Sequence, residues 1–356
     1  MISANKNFTQ KLISWYIKNK RLLPFRKSND PYKIWLSEVM LQQTQINTVL
    51  PYYNKWIKKF PTIETVSSSN IDSLLKLWEG LGYYKRCINF HKASKIVVDN
   101  YDGKIPDNKT EFMALPGVGE YTASAVLSIA FSKPFPVLDG NVKRVMSRII
   151  GIKKLSNFNL RKINKILERL ICKSRPGDFN QGLMELGALI CRPINPKCDE
   201  CPLSENCYAF GKKNPESFPD KIIRKSRPQY DVVVAIIWRN NKFYIQKREI
   251  DKMLGGLWEF PGGIVEKGED PKIILRHKVF KKCGTDLNIH KKAGIVDHAF
   301  SHFTIRLSGY FCSEKKLPIK ESATRKWIYK KNIKDYTFPK SNHKLFKQLE
   351  IKNWDV

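Results

Sequence analysis

Residues 115–119 read Leu-Pro-Gly-Val-Gly, between stretches whose apolar residues recur every three or four positions. That spacing predicts a helix on either side. The glycines permit positive φ and leave backbone N–H groups uncovered. A helix starting near Glu120 points its positive end the same way, so turn and helix together make a seat for one phosphate oxygen. Such a contact positions a nucleic acid without reading its sequence. The other reading of these five residues is a plain helix–helix connector.

Working outward, the same helical periodicity recurs at 10–17, 35–50, 71–78, 87–98, 122–131, 141–150 and 161–171. Breakers separate these segments, among them Pro31, Pro61, Gly80, Gly82, Pro134 and the pair Pro176-Gly177. Residues 1–210 therefore read as all-α. Residues 211–229 are polar, basic and proline-containing, which reads as a linker. Beyond it the texture changes to strands at 232–238, 243–246, 295–297, 303–311 and 325–329, with a helix at 271–283. The fold class is multidomain: an all-α domain over 1–210, then a smaller α+β domain over 230–356.

The 356 residues include 64 Lys and Arg against 33 Asp and Glu, a net charge of +31. An anionic partner, above all nucleic acid, suits that balance. The excess is spread over both parts of the chain, however, and a sequence this rich in Lys, Asn and Ile is also what an AT-rich genome produces. No apolar run approaches the roughly 20 residues needed to span a bilayer. The lysine-bearing start shows no apolar block, so no secretory signal is read. Four of the eight cysteines fall at Cys191, Cys198, Cys201 and Cys207. In a reducing compartment such a cluster binds metal rather than forming disulfides. Four thiolates in one loop suit zinc or an iron–sulfur cluster, although only one C-x2-C knuckle is present.

Two acids stand out. Glu38 is alone in the uncharged run Trp35-Leu36-Ser37-Glu38-Val39-Met40-Leu41-Gln42-Gln43-Thr44-Gln45. Asp139 sits in Pro136-Val137-Leu138-Asp139-Gly140-Asn141-Val142-Lys143-Arg144-Val145. Taken singly, Glu38 reads as a first-turn acid favoured by the helix dipole, and Asp139 as an N-cap.

Together, LSEVMLQQTQ, LPGVG, VLDGNVKRV and the four-cysteine loop resemble the endonuclease III superfamily of DNA glycosylases, with the helix-hairpin-helix near 112–131. The QQT run is similar to its adenine-specific branch, the MutY adenine DNA glycosylases, and the likeness covers nearly the whole chain. The resemblance implies base excision repair: a duplex DNA partner carrying 8-oxoguanine:A or G:A, with the adenine flipped out of the stack. It assigns Glu38 as the acid that protonates adenine at N7. Asp139 supports the positive sugar, and Asn141 orients Asp139 or the water. Such a Glu38 needs a raised pKa, which Trp35, Leu36 and Met40 are expected to supply by desolvation. The hairpin residues Leu115, Gly117 and Gly119 hold the backbone. Gln43 and Tyr83 probe the stack, and Arg26 and Gln181 line the base pocket. The position of Gln181 is an acid in some members of the family. The cysteine loop is implied to hold a [4Fe-4S] cluster, with Arg192 and Lys197 facing phosphates.

Where strand-cleaving relatives carry a lysine, this chain has Tyr121, and a phenol cannot form an imine. A monofunctional enzyme follows, without lyase activity. Residues 254–269 resemble the lead-in to a Nudix box, yet His277, Lys278, Lys281 and Lys282 stand where acids would bind Mg²⁺. A Nudix-like domain without Nudix hydrolysis is expected, and Phe300-Ser301-His302 matches the family's loop that contacts 8-oxoguanine. The resemblance implies a monomer in a bacterial cytoplasm, associated with the nucleoid and not with a membrane. An endonuclease III-like lyase acting on oxidised pyrimidines and an inert DNA-binding scaffold are the competing readings. Tyr121 and the C-terminal domain stand against the first, and the two acids against the second.

Overall fold

Side-chain caps start seven of the described helices. Asp30, Thr62, Asn70, Asn108, Asp139, Ser156 and Asp270 each accept a backbone N–H one to three residues into the helix that follows. The computed structural model describes residues 6–221, 226–315, 317–351 and 354. Two compact units result: residues 1–68 with 89–223, and residues 69–88 with 224–356.

The first unit is helical. It holds α1 (Lys6–Asn19), α2 (Pro31–Leu41), α3 (Ile46–Lys59) and α4 (Ile63–Ser67). The second unit contributes α5 (Ile71–Trp78) and the first residues of α6 (Lys85–Tyr101). The first unit continues through α7 (Lys109–Met113), α8 (Glu120–Ala130), α9 (Gly140–Ile150), α10 (Asn157–Leu170), α11 (Pro176–Leu189) and α12 (Tyr208–Gly211). One of its cores packs α1, α9, α10 and α11 through Leu12, Val145, Met146, Ile163, Leu167 and Leu183.

Two helix expectations change. Residues 35–50 form two helices, because Gln42 turns extended and Gln43 takes φ +55°. Periodicity missed this break because apolar faces on both sides of the turn are buried. A further helix, α11, was not expected; the break at Pro176-Gly177 is its start, where the missing N–H of Pro176 has no intrahelical role.

The second unit carries a seven-stranded sheet of β1 (Gln229–Arg239), β2 (Lys242–Lys247), β3 (Trp258–Glu259), β4 (Gly262–Val265), β5 (Leu287–Ala299), β6 (Thr304–Glu314) and β7 (Arg325–Tyr329). The order β3-β2-β1-β6-β5 is mixed: β1 and β6 are parallel, while β4 pairs β1 and β7 pairs β2 antiparallel. Side-chain alternation along β1 sends Val233, Ala235 and Ile237 toward α13 (Pro271–Cys283), and Val234 and Ile236 toward α14 (Lys340–Ile351). The β1–β2 hairpin turns at Asn240-Asn241, both at positive φ, as its sequence demands. Of the expected linker, Pro215–Ser217 form a single 3-10 turn and β1 already begins at Gln229; residues 222–225 lie outside the described residues.

Residues 69–88 pack with this sheet unit. Lys247 pairs with Asp72 at 2.6 Å, and the Glu79 carboxylate accepts from Lys76, the Phe338 N–H and His343. Among the described residues no helix is long and apolar enough to cross a membrane.

Candidate active site

A cleft of about 590 Å³ opens in the helical unit. Glu38, Tyr121, Asp139 and Asn141 line it, with Arg26, Gln43 and Gln181 at its walls. Four separate elements deliver these groups. Glu38 comes from α2, Tyr121 from the first turn of α8, Asp139 and Asn141 from the start of α9, and Gln181 from α11.

Glu38 is buried, and the Tyr121 hydroxyl donates to its Oε2 at 2.7 Å. Burial, helped by Asp139 and opposed by Tyr121 and Arg26, pushes the Glu38 carboxyl up to about 7. The apolar wall of the cleft comprises Ile34, Leu41, Ile129 and Met184. Trp35, Leu36 and Met40, expected there, are instead buried in the core, Trp35 against Phe90 and Phe112. Burial also holds the Tyr121 phenol well above its usual range, so it stays a donor.

Asp139 does two jobs. Its Oδ1 accepts the Val142 N–H at 2.6 Å and caps α9, while Asn141 Nδ2 donates to Oδ2 at 3.3 Å. Burial raises its pKa, and the Val142 N–H, Arg144 and Asn141 oppose that rise. Arg144 donates to Asn141 Oδ1 and to the carbonyls of Gly187 and Cys191, at 2.8–2.9 Å. Gly187 lets α11 approach this closely, since a Cβ there would lie 2.7 Å from Asn141 Cβ.

Several of these side chains escaped the sequence reading. Glu185 is buried beside the cleft and accepts from Arg21 and Arg26, at 2.7–2.9 Å. Burial alone would raise its pKa; the two arginines bring it down to about 2. Asn180, also buried, ties the Phe135–Val137 strand-like connection to α8 through Phe135 O, Val137 N and Ser128 Oγ. The signal for Glu185 was the same as for Glu38, a lone acid in an apolar run.

The hairpin closes as its glycines require. The Val118 N–H reaches Leu115 O at 3.1 Å, and Gly117 takes φ +81° with Asn89 where its Cβ would be. Gly119 caps α8 with open space around it, and Leu115 is buried beneath.

Cys191, Cys198, Cys201 and Cys207 are free thiols in one loop, close enough for their charges to act on one another. Burial pushes Cys201 up to about 12. The buried Arg148 of α9 donates to Cys191 Sγ at 3.3 Å and to the carbonyls of Arg192 and Pro193. Among the described residues, no three His, Cys, Asp or Glu side chains are grouped so as to hold a single metal ion.

Tyr83, Phe300, Ser301 and His302 lie in the other unit. The β5–β6 hairpin pairs Ala299 with Thr304, so Phe300–Phe303 form its tip, closed by Phe300 N–H to Phe303 O at 2.8 Å. The Tyr83 and Ser301 hydroxyls are hydrogen-bonded. On α13, the Lys278 stem covers Gly263.

Comparison with known proteins fits this arrangement. Residues 36–172 match the HhH-GPD superfamily base excision DNA repair protein model, and residues 232–348 match the NUDIX domain model. The adenine DNA glycosylase of Buchnera aphidicola subsp. Schizaphis graminum is 38% identical over 97% of this chain and 98% of its own. The chain belongs to the adenine DNA glycosylase family. Its relative from the Acyrthosiphon pisum subspecies is 35% identical over 96% and 97%. The human adenine DNA glycosylase is 32% identical over 85% of this chain and 66% of its own. Among solved structures, a thermostable thymine-DNA glycosylase is similar at 30% identity and TM-score 0.55, covering 59% of this chain and 97% of its own. An endonuclease III–DNA covalent intermediate shares the fold at 23% identity and TM-score 0.52, over 60% and 99%. This adenine DNA glycosylase family member is thus a DNA glycosylase of base excision repair, built as a helical domain followed by a Nudix-like one.

Proposed function

We propose that this glycosylase removes adenine from 8-oxoguanine:A and G:A pairs and leaves an abasic site without cutting the strand. The observation that carries the proposal is the contrast between two carboxyls on one cleft. Burial raises both carboxyls, Glu38 up to about 7, but only around Asp139 do the Val142 N–H, Arg144 and Asn141 oppose the rise and favour the ionised form.

That contrast divides the chemistry of glycosidic cleavage. Tyr121 occupies Oε2 of Glu38, which leaves Oε1 to carry the proton into the cleft. Glu38 gives that proton to N7 of the flipped adenine. The C1′–N9 bond then breaks, and its electron pair leaves with the base. Positive charge spreads over C1′ and the ring oxygen, where Asp139 stabilises it. Water adds to C1′ and returns a proton to Glu38. Asn141, held by Arg144, keeps Oδ2 of Asp139 aimed. Arg26 and Gln181 line the base pocket, Gln43 and Tyr83 probe the stack, and Leu115, Gly117 and Gly119 seat a backbone phosphate.

Cys191, Cys198, Cys201 and Cys207 fit a [4Fe-4S] cluster: four unbridged thiols in one loop, with an arginine directed at sulfur. When bound, the cluster would fix the loop and add no step to base removal. Phe300, Ser301 and His302, at an exposed hairpin tip, read the base opposite adenine. As the family resemblance implies, the enzyme works as a monomer on the bacterial nucleoid.

The test is a single-turnover reaction on labelled duplexes with adenine opposite 8-oxoguanine or G, each sample split and read with and without alkali. Breaks at adenine only after alkali, faster opposite 8-oxoguanine, are expected. Breaks without alkali, or no loss of adenine, would contradict the proposal.

A further inference from the structure

Trp78, Gly80, Gly82 and Tyr83 form a turn that the chain adopts against its own preference. Gly80, Gly82 and Tyr83 all lie at positive φ, at +97°, +78° and +49°. For the glycines this is free, but for a tyrosine it is disfavoured and persists only where neighbours impose it. Tyr83 is moreover half exposed, so core packing does not hold it.

One side chain meets Trp78, Gly82 and Tyr83 of this turn. The Arg86 guanidinium donates from Nη2 to Gly82 O at 3.2 Å and from Nε to Tyr83 O at 3.4 Å. Its Cζ lies 5.4 Å from the centre of the Trp78 ring and 5.3 Å from that of Tyr83. The Arg86 N–H also reaches Tyr83 O, at 2.9 Å. Trp78, wholly buried, supplies the fixed wall and donates its indole N–H to the same Gly82 carbonyl at 3.0 Å. The Tyr83 hydroxyl then meets Ser301 on the hairpin tip.

From this geometry we infer that Arg86 is a positioning residue for opposite-base selectivity: it fixes the strained Tyr83 turn so that the Tyr83 and Ser301 hydroxyls face the DNA as one unit. The inference rests on the reading of Tyr83 and Ser301 as recognition residues. A planar guanidinium suits the role because it lies flat on aromatic faces while its edge donates to carbonyls. Lysine keeps the charge and the stem and loses both features. On this inference the effect of Arg86 on selectivity travels through Tyr83.

The experiment compares Arg86→Lys, Tyr83→Ala and the double variant with the parent, in the full chain. Single-turnover adenine removal is measured opposite 8-oxoguanine and opposite G. The ratio of the two rates should fall about tenfold in Arg86→Lys, mostly through the 8-oxoguanine duplex. The double variant should lose no more than Tyr83→Ala alone, because both changes remove one interaction. An unchanged ratio, an equal loss on both duplexes, or additive losses in the double variant would each overturn the inference. A second readout needs no substrate: 3-fluorotyrosine at position 83, followed by ¹⁹F resonance. Arg86→Lys should shift and broaden that signal, and an unaltered signal would overturn the inference. If the parent itself fails to distinguish the two duplexes, the recognition reading fails, and the ¹⁹F signal still decides whether Arg86 fixes Tyr83.

Discussion

Glu38 is held in a place that disfavours its own charge. Its folded pKa of about 7 exceeds the ordinary 4.5 because burial dominates. Below the ordinary value both folded and unfolded chains are protonated there and the group is neutral to stability. As pH rises from 4.5 through 7, the unfolded chain ionises first and folding loses free energy, about 3 kcal/mol by pH 8 and about 1 kcal/mol at pH 5. Glu38→Gln should therefore raise the melting temperature by roughly 5 °C at pH 8 and much less at pH 5. In the same protein, adenine removal should fall at least about a hundredfold. Thermal melts at the two pH values, beside single-turnover rates, check both parts. Glu38 stood out in sequence as the lone acid of an uncharged run, but taken singly it reads as a first-turn acid, and only the family resemblance pointed to its role. Glu185 carried a similar signal and was missed, because its two arginine partners lie about 160 positions away and no helix was read over 176–189.

At the scale of the element, Asp139 shows that a cap and a site are not alternatives. It caps α9 through Oδ1, accepts from Asn141 at Oδ2, and lines the cleft. Two substitutions separate the roles. Asparagine caps as well as aspartate, so Asp139→Asn should leave stability within about 0.5 kcal/mol, whereas Asp139→Ala should cost about 1 kcal/mol. Both should lose the rate, since neither supplies a negative charge. Denaturant melts paired with single-turnover rates decide it. The same helix carries Arg144 and Arg148 outward to the cysteine loop, so α9 ties the two motifs that the sequence showed only as separate strings. Element boundaries were readable where one signal acted alone. The helix at 271–283 and the strand at 325–329 match to the residue. They were not readable at 35–50, where a tight turn joins two helices whose apolar faces both point inward.

At the scale of the molecule, the chemistry and the recognition proposed for this chain fall in different units. The cleft with Glu38 and Asp139 belongs wholly to the helical unit, and the Tyr83–Ser301 pair to the sheet unit. That residues 69–88 pack with the C-terminal sheet had no trace in composition or periodicity. It depends on long-range partners such as Asp72 with Lys247 and Glu79 with His343. The two-unit account makes a joint demand: the opposite base should change the rate, but the acid should not change with it. The measurement that tests this most directly is the pH dependence of single-turnover adenine removal, opposite 8-oxoguanine and opposite G, in the parent and in Glu38→Gln. The rate should decline above about pH 7 with the same profile on both duplexes, differing only in height, and the residual activity of Glu38→Gln should lack that decline. A profile flat through pH 9, or one that Glu38→Gln retains at near-parent rates, would contradict the assignment of Glu38 as the acid.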